Sequence, residues 1–421
     1  MIAQRLVTAL EPFVGGDLPV RLRAWDGSEA GSAEGPVVEL RSPNAVRRML
    51  RHPGELGAAQ AYVTGELDVP EADGWDLGRA LTHAFAVARD RGLSGGRLSA
   101  GAVVQAIRTA SSVGALGRPP AAPASQARLR GRRHSLLRDR RAISHHYDLS
   151  NEFYALLLDP SMAYSCAYWT SAEPAYTLAD AQADKLDLVC RKLGLEPGLT
   201  LLDVGCGWGS LSLHAAEHFG ARVTGITIAE EQKAFIDARI RERGLEHLVE
   251  IRLQDYREVD EGGYDAVGSI EMGEHVGEAN YPTYVDVLRS AVCPGGRVLV
   301  QQMSRTGPHP GGGPFIESFI APDMHMRPVG ETVAYLEQGG LEVRDVHGLR
   351  EHYVRTVQGW LERFETNLDE LTALVGEEVV RVWRLYLVGG QLAFRDGRMG
   401  VDQILCARPG SAHSMPPVRG W

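Results

Sequence analysis

Residues Leu201 to Ser210 read LLDVGCGWGS, and this run constrains the fold more than any other part of the chain. Two leucines lead into Asp203-Val204, after which Gly205, Gly207 and Gly209 alternate with Cys206 and Trp208. A strand that ends in a glycine turn and opens a helix lets bare backbone press against a nucleotide cofactor. The triplet alone is shared by nicotinamide, flavin and S-adenosylmethionine enzymes, so its surroundings must choose between them.

From Leu199 onward strand and helix patterns alternate. Strands are expected over Thr200–Val204, Arg222–Thr227, Val249–Leu253, Asp265–Ile270 and Arg297–Met303, with helices at Ala229–Arg243 and Tyr281–Ala291. Leu341–Val346 and Gln403–Ala407 complete the strands, with helices Tyr353–Leu368 and Glu377–Leu387 between them. The expected fold class is α/β, a doubly wound Rossmann-like sheet with its ligand site at the carboxyl ends of the first strands.

Upstream, short strands (Val20–Ala24, Val37–Leu40), a helix over Asn44–Leu50 and the run Leu56–Val69 read as a smaller α+β domain. Gly92–Ser125 is rich in Gly, Ser, Ala and Pro, which marks a linker. The expected division is 1–91, a linker with a basic segment over 92–140, and the main domain over 141–421. The basic segment holds Arg128, Arg130, Arg132, Arg133, Arg138, Arg140 and Arg141 against a single Asp139. It reads either as a solvated helix face or as a patch for anionic headgroups, worth about 1 kcal/mol per basic residue.

With 421 residues and 44% hydrophobic content, the chain has room for two cored domains. A formal charge of −10 argues against nucleic acid as a partner. Five scattered cysteines without CxxC spacing suit a reducing cytoplasm and exclude a disulfide framework or structural zinc. No signal peptide and no run of about 18 apolar residues is present, so the expected protein is soluble or sits on a membrane surface.

A nicotinamide fold usually carries an acid about 20 residues past the glycines. Here that place reads Thr224-Gly225-Ile226-Thr227, with Thr227 and Gln232 as neutral partners for hydroxyls, and Gln254-Asp255 follows the third strand. These features turn the expectation from NAD to S-adenosylmethionine, although Gln254 and Asp255 also suit an ordinary strand-end turn.

Taken with its other motifs, the chain resembles the cyclopropane fatty acid synthase family, which includes the mycolic acid methyltransferases. The resemblance is closest over Ser144–Pro409. It rests on HHYDLSNEFYALLLDPSMAYSCAYW (His145–Trp169), LLDVGCGWGS, TGITIAEEQ, LQDYRE, EMGEHVG (Glu271–Gly277), HYVRTVQGWLERF and WRLYLVGGQLAF. AQAYVTGELDV is similar to the N-terminal domain of the phospholipid-acting members. The resemblance implies a class I methyltransferase fold and a lid within His145–Trp169, including His145, His146, Tyr147, Asp148, Tyr164 and Ser165, that closes over S-adenosylmethionine.

The implied reaction is attack of a cis double bond in an unsaturated phospholipid acyl chain on the sulfonium methyl. A carbocation results, and proton loss gives a cyclopropane or, after a hydride shift, a methylene branch of the 10-methylene type. The resemblance also implies a bound bicarbonate as base, held by the backbone of Cys166, by Glu274, by Tyr353 and by a histidine whose place here is taken by Gln301. Glutamine can donate to an oxyanion but cannot carry a proton. The family's isoleucine becomes Met303, a phenylalanine becomes Gly273 beside a new Glu271, and a loop becomes Phe319–Met324. These changes cluster around the reacting carbon and point to a branching outcome.

Residues alone leave other roles open. Cys166 can be a packing cysteine or a nucleophile, Tyr353 a core aromatic, and Trp360, Trp383 and Tyr386 interior or channel residues. Glu274-His275 lacks HExxH spacing, so no metal is expected. A small-molecule C- or N-methyltransferase and a non-catalytic lipid binder are the competing functions. The resemblance further implies a homodimer, peripheral on the inner face of the membrane, with a separate reductase as a further partner.

Overall fold

The computed structural model describes residues 1–93, 100–118, 120–127, 138, 149–307, 309–413 and 415–421. It divides into two compact units: Met1–Gln126 with Thr372–Leu392, and Ala127–Leu371 with Ala393–Trp421.

In the larger unit, seven strands among the described residues form one sheet: β5 (Thr200–Val204), β6 (Arg222–Thr227), β7 (Val249–Leu253), β8 (Tyr264–Ile270), β9 (Val292–Ser304), β10 (Glu342–Gly348) and β11 (Gly400–Ala407). Their order is β10-β11-β9-β8-β5-β6-β7. β5 pairs in parallel with both β6 and β8, while β11 runs antiparallel between β9 and β10. The chain therefore winds outward from β5 in both directions, and the crevice at the carboxyl end of β5 is the switch point where such sheets bind ligands. This is the doubly wound class I methyltransferase sheet.

Successive residues of a strand feed opposite layers. Leu201 joins Leu186, Val189, Leu211 and Ile236 on one face, whereas Leu202 joins Tyr281, Val285 and Leu288 on the other. Leu299 and its neighbours Val298 and Val300 divide in the same way. Each such buried leucine or valine contributes about 1.5–3 kcal/mol, and burial on both faces explains why β5 reads as an unbroken apolar run up to Asp203. The helix Leu178–Leu193 starts on a reciprocal cap between Thr177 and Asp180 and stops at left-handed Gly194.

The smaller unit carries a four-stranded sheet of order β2-β1-β3-β4, from Arg21–Arg23 (β1), Glu29–Gly31 (β2), Val37–Leu40 (β3) and Leu67–Asp68 (β4). Leu6, Val7, Leu22, Leu40, Ala61 and Ala110 share its core. Part of the stretch read as linker is instead the helix Ala100–Ser112, which packs on the helix Ile2–Val14. Small side chains such as Ala110 allow that close approach, so an alanine-rich composition served packing here. The helix Leu368–Arg395 is broken at Gly376 (φ 80°, ψ 161°), and its Thr372–Leu392 part belongs to the smaller unit. There the buried Arg381 donates to the carbonyls of Tyr62 and Leu67 and to Asp68. Trp383, also buried, packs edge-on against Tyr386.

Among the described residues no helix is long and apolar enough to cross a membrane. Of the basic segment only Arg138 is described, and its guanidinium is committed to Asp323 by two hydrogen bonds (2.5 and 2.9 Å). The other arginines of that segment, and His145 to Asp148, lie outside the described residues.

Candidate active site

A pocket opens at the carboxyl ends of β5, β6, β7 and β8. The glycine turn forms its floor: the amides of Gly205 and Cys206 donate to the Ile226 carbonyl (3.1 and 3.0 Å), which ties the turn to β6. Gly205 sits at φ 79°, and a Cβ there would fall 2.7 Å from Met272 Cγ. Gly207 also lines the pocket, but Gly209 does not. Gly209 is the cap residue of the helix Ser210–Phe219, and its missing side chain makes room for Ile236, 2.8 Å from where a Cβ would stand.

The other residues expected to bind cofactor, Tyr164, Ser165, Asp203, Thr227, Gln232, Gln254 and Asp255, all line this pocket. Thr227 Oγ1 donates to Gln232 Oε1 (2.9 Å) and so fixes that amide. Asp255 accepts from the backbone and side chain of Arg257 and caps a short turn, so it is a strand-end turn residue and a pocket wall at once. Gln254 turns its amide to the Glu258 carbonyl. Ser165 Oγ accepts from the buried Lys185 ammonium (2.8 Å). Asp203 accepts from Ser212 (2.7 Å), and burial pushes its carboxyl up to about 6 against the pull of Lys185. The bare backbone at Gly207, the fixed Gln232 amide and the aromatic faces of Tyr164 and Trp208 fit an adenosyl group bearing a sulfonium cation.

A second cluster borders the first. Glu271, which also lines the pocket, accepts from the Cys166 amide (2.7 Å) and the Gln301 side-chain amide (2.9 Å) on one oxygen and from the Tyr353 hydroxyl (2.5 Å) on the other. Gln301 is itself held by Gln403, whose side-chain amide donates to Gln301 Oε1 (2.9 Å) on the neighbouring β11. Partial removal from water pushes the Glu271 carboxyl up, while its three donors and Lys185 pull it back. Glu274 is fully buried, and neither of its carboxylate oxygens completes a hydrogen bond to the described residues. Burial and the charge of Glu271 push it up to about 8. Three donors favour the charged form of Glu271, whereas burial without a bonded oxygen favours the neutral form of Glu274.

Three of the four residues expected to be catalytic thus bond to a fifth, and the fourth, Glu274, feels its charge. Cys166 contributes its backbone, since its buried thiol turns to the carbonyls of Ala167 and Leu349 and to Thr356 and is pushed well up by burial. Such a thiol is no nucleophile. The bicarbonate expected from the resemblance does not fit: the Cys166 amide, Gln301 and Tyr353 are already taken by Glu271. Sequence reasoning saw Glu271 only as an altered pocket wall. Its position, three residues before Glu274, was the available clue.

Aromatic rings pack against one another beside both clusters. Tyr154 lies 4.5 Å from Trp208 and 5.7 Å from Tyr164, Tyr164 lies 5.2 Å from Trp360, and Tyr353 stacks on Phe394 at 4.3 Å between centroids. No group of His, Cys, Asp and Glu among the described residues could hold a metal ion.

Known proteins share this sequence pattern and fold. Residues 134–404 match the family model described as mycolic acid cyclopropane synthetase. The chain belongs to this family. It is 36% identical over 422 residues to a probable fatty acid methyltransferase of Mycobacterium tuberculosis, covering 96% of this chain and 95% of that one. It is 34% identical over 409 residues to the tuberculostearic acid methyltransferase of the same organism, covering 93% and 88%. A mycolic acid cyclopropane synthase solved with S-adenosylhomocysteine (SAH) and CTAB superposes with a TM-score of 0.60 at 31% identity, covering 64% of this chain and 98% of that one. This member of the mycolic acid cyclopropane synthetase family is an S-adenosylmethionine-dependent methyltransferase.

Proposed function

We propose that this methyltransferase places a methyl group on the cis double bond of an unsaturated phospholipid acyl chain and forms a methylene-branched or cyclopropane product. The observation that carries this reading is the Glu271 carboxyl group, held by three donors at the wall of the pocket that Tyr164 and Trp208 also line. A π bond attacking an electrophilic methyl generates a carbocation, which aromatic faces and a nearby negative charge stabilise. A transfer to nitrogen or oxygen generates no such cation. S-adenosylmethionine supplies the methyl as a sulfonium.

The chain's own residues do the rest. Tyr164 and Trp208 wall the pocket, Gln301 and Tyr353 orient Glu271, and the fully buried Trp360 closes the interior side. The fatty acid methyltransferases among the relatives support an acyl substrate. Gln301 and Gly273, in place of the histidine and phenylalanine of the resemblance, support the branching product, which a separate reductase would then saturate. The substrate's location makes a peripheral position on the inner membrane face, as a homodimer, part of the same proposal.

Purified protein given methyl-labelled S-adenosylmethionine and vesicles of dioleoyl phosphatidylglycerol should move label into the acyl fraction, whereas dipalmitoyl vesicles should take up none. Gas chromatography–mass spectrometry of the acyl products then reads the branch. Equal labelling of both vesicles would refute the acyl reading, and cyclopropane as sole product would refute branching.

A further inference from the structure

Three donors from separate parts of the chain converge on Glu271: the Cys166 amide, the Gln301 amide on β9 and the Tyr353 hydroxyl on the helix Arg350–Thr366. Glu271 holds φ at 50°, a left-handed conformation that costs a non-glycine residue about 1–2 kcal/mol. Its own amide donates to the Gln301 carbonyl (2.6 Å), which fixes that strained turn at the end of β8. Strain held at a pocket wall is a mark of a working site. A purely structural strut between these segments would be better served by a group sealed from the pocket. Glu271 instead remains half-buried and faces the space where methyl and acceptor would meet.

We infer that Glu271 is the built-in general base of this enzyme, its side chain seated in the anion position that the resemblance gives to bicarbonate. The inference rests on the acyl-methylation reading above. In the first step the π pair of the double bond forms the new carbon–carbon bond to the methyl, and the sulfur–methyl pair stays on sulfur. The resulting cation then passes one proton of the added methyl to a Glu271 oxygen. The freed C–H pair closes the three-membered ring or, after a hydride shift, becomes the exocyclic double bond. Glu271 leaves this step as a neutral acid and returns its proton to water when the site opens. Charge and atoms balance without an outside anion. Gln301 and Tyr353 are positioning residues that aim the carboxylate, and the neutral Glu274 keeps a second negative charge out of the site.

Two variants and one probe test this. Glu271→Gln keeps the shape and removes the base, while Glu271→Gly removes the carboxylate, relieves the backbone and leaves three donors around a void. The probe is 13C-labelled bicarbonate, followed by NMR for binding and in CO2-free buffer for its effect on methyl transfer to dioleoyl vesicles. The wild type should show no saturable bicarbonate binding and no rate loss in CO2-free buffer. Glu271→Gln should bind S-adenosylmethionine as the wild type does by calorimetry, yet lose methyl transfer by about 100-fold or more. Glu271→Gly should bind bicarbonate and regain activity with it.

Saturable binding of bicarbonate to the wild type, or a wild-type rate that falls on its removal, would overturn the inference. So would an undiminished rate in Glu271→Gln. If the variants fail to bind S-adenosylmethionine, the wild-type measurements decide alone. A wild type that labels no acyl chain would defeat the acyl-methylation reading, while the NMR experiment still reports whether Glu271 fills the anion position.

Discussion

Replacing Glu274 by glutamine gives the most quantitative test of the split carboxyl pair. Glu274 is fully buried and titrates near 8 in the folded protein, against 4.5 when free in water. Between those two values the folded state keeps a proton that the unfolded chain has already released. Folded protein therefore binds more protons than unfolded, and stability falls as pH rises, by about 1.4 kcal/mol per pH unit. Below about 4.5 both states are protonated and the penalty is absent; above about 8 it is complete. Glutamine has the shape of the protonated acid and no charge to lose, so Glu274→Gln should match the wild type near pH 5. By pH 8 it should be the more stable by roughly 4 kcal/mol. Urea unfolding of both proteins at pH 5, 6, 7 and 8 measures this difference, from which groups common to both, including Asp203, largely cancel. A difference that stays flat with pH, or that favours the wild type as pH rises, would refute the assignment of Glu274 as the neutral partner.

Gly205→Ala puts a side chain at φ 79° and 2.7 Å from Met272 Cγ. The strain and overlap together should cost about 2–4 kcal/mol, and calorimetry should find S-adenosylmethionine affinity down by about tenfold or more; unchanged affinity would remove the turn from the site. Cys166→Ala keeps the backbone amide and deletes only a buried thiol, so methyl transfer should persist near the wild-type rate, and its abolition would make the thiol chemical. Gln301→His changes the group beside Glu271 and removes the acceptor for Gln403. Its products, read by gas chromatography–mass spectrometry, should shift toward cyclopropane, and an unchanged ratio would place control of the cation elsewhere.

The α/β core was legible because strand-like and helix-like patterns alternate along the chain, including at edge strand β7, whose VEIRL alternates buried and exposed residues. Thr200–Val204, Arg222–Thr227 and Val249–Leu253 occur with the bounds that the sequence pattern predicts. The glycine turn was equally plain, since positive φ at Gly205 and Gly207 demands that residue type. The helix Ala100–Ser112 was hidden because alanine and serine serve close packing and linkers alike. Glu271 escaped for a different reason. A carboxylate among pocket residues carries no sign in one dimension that three donors, at positions 166, 301 and 353, will converge on it. Gly209 erred in the opposite direction: its place in the triplet suggests ligand contact, but its real neighbour is Ile236.

The central claim is that a carbon–carbon bond forms and that a proton then leaves the added methyl. Purified enzyme supplied with S-adenosylmethionine bearing a trideuterated methyl and with dioleoyl phosphatidylglycerol vesicles tests it directly, by mass spectrometry of the acyl chains. Acyl products carrying a CD2 group are expected, one deuteron having passed to the base. A product that retains intact CD3, on the headgroup or any heteroatom, would contradict it.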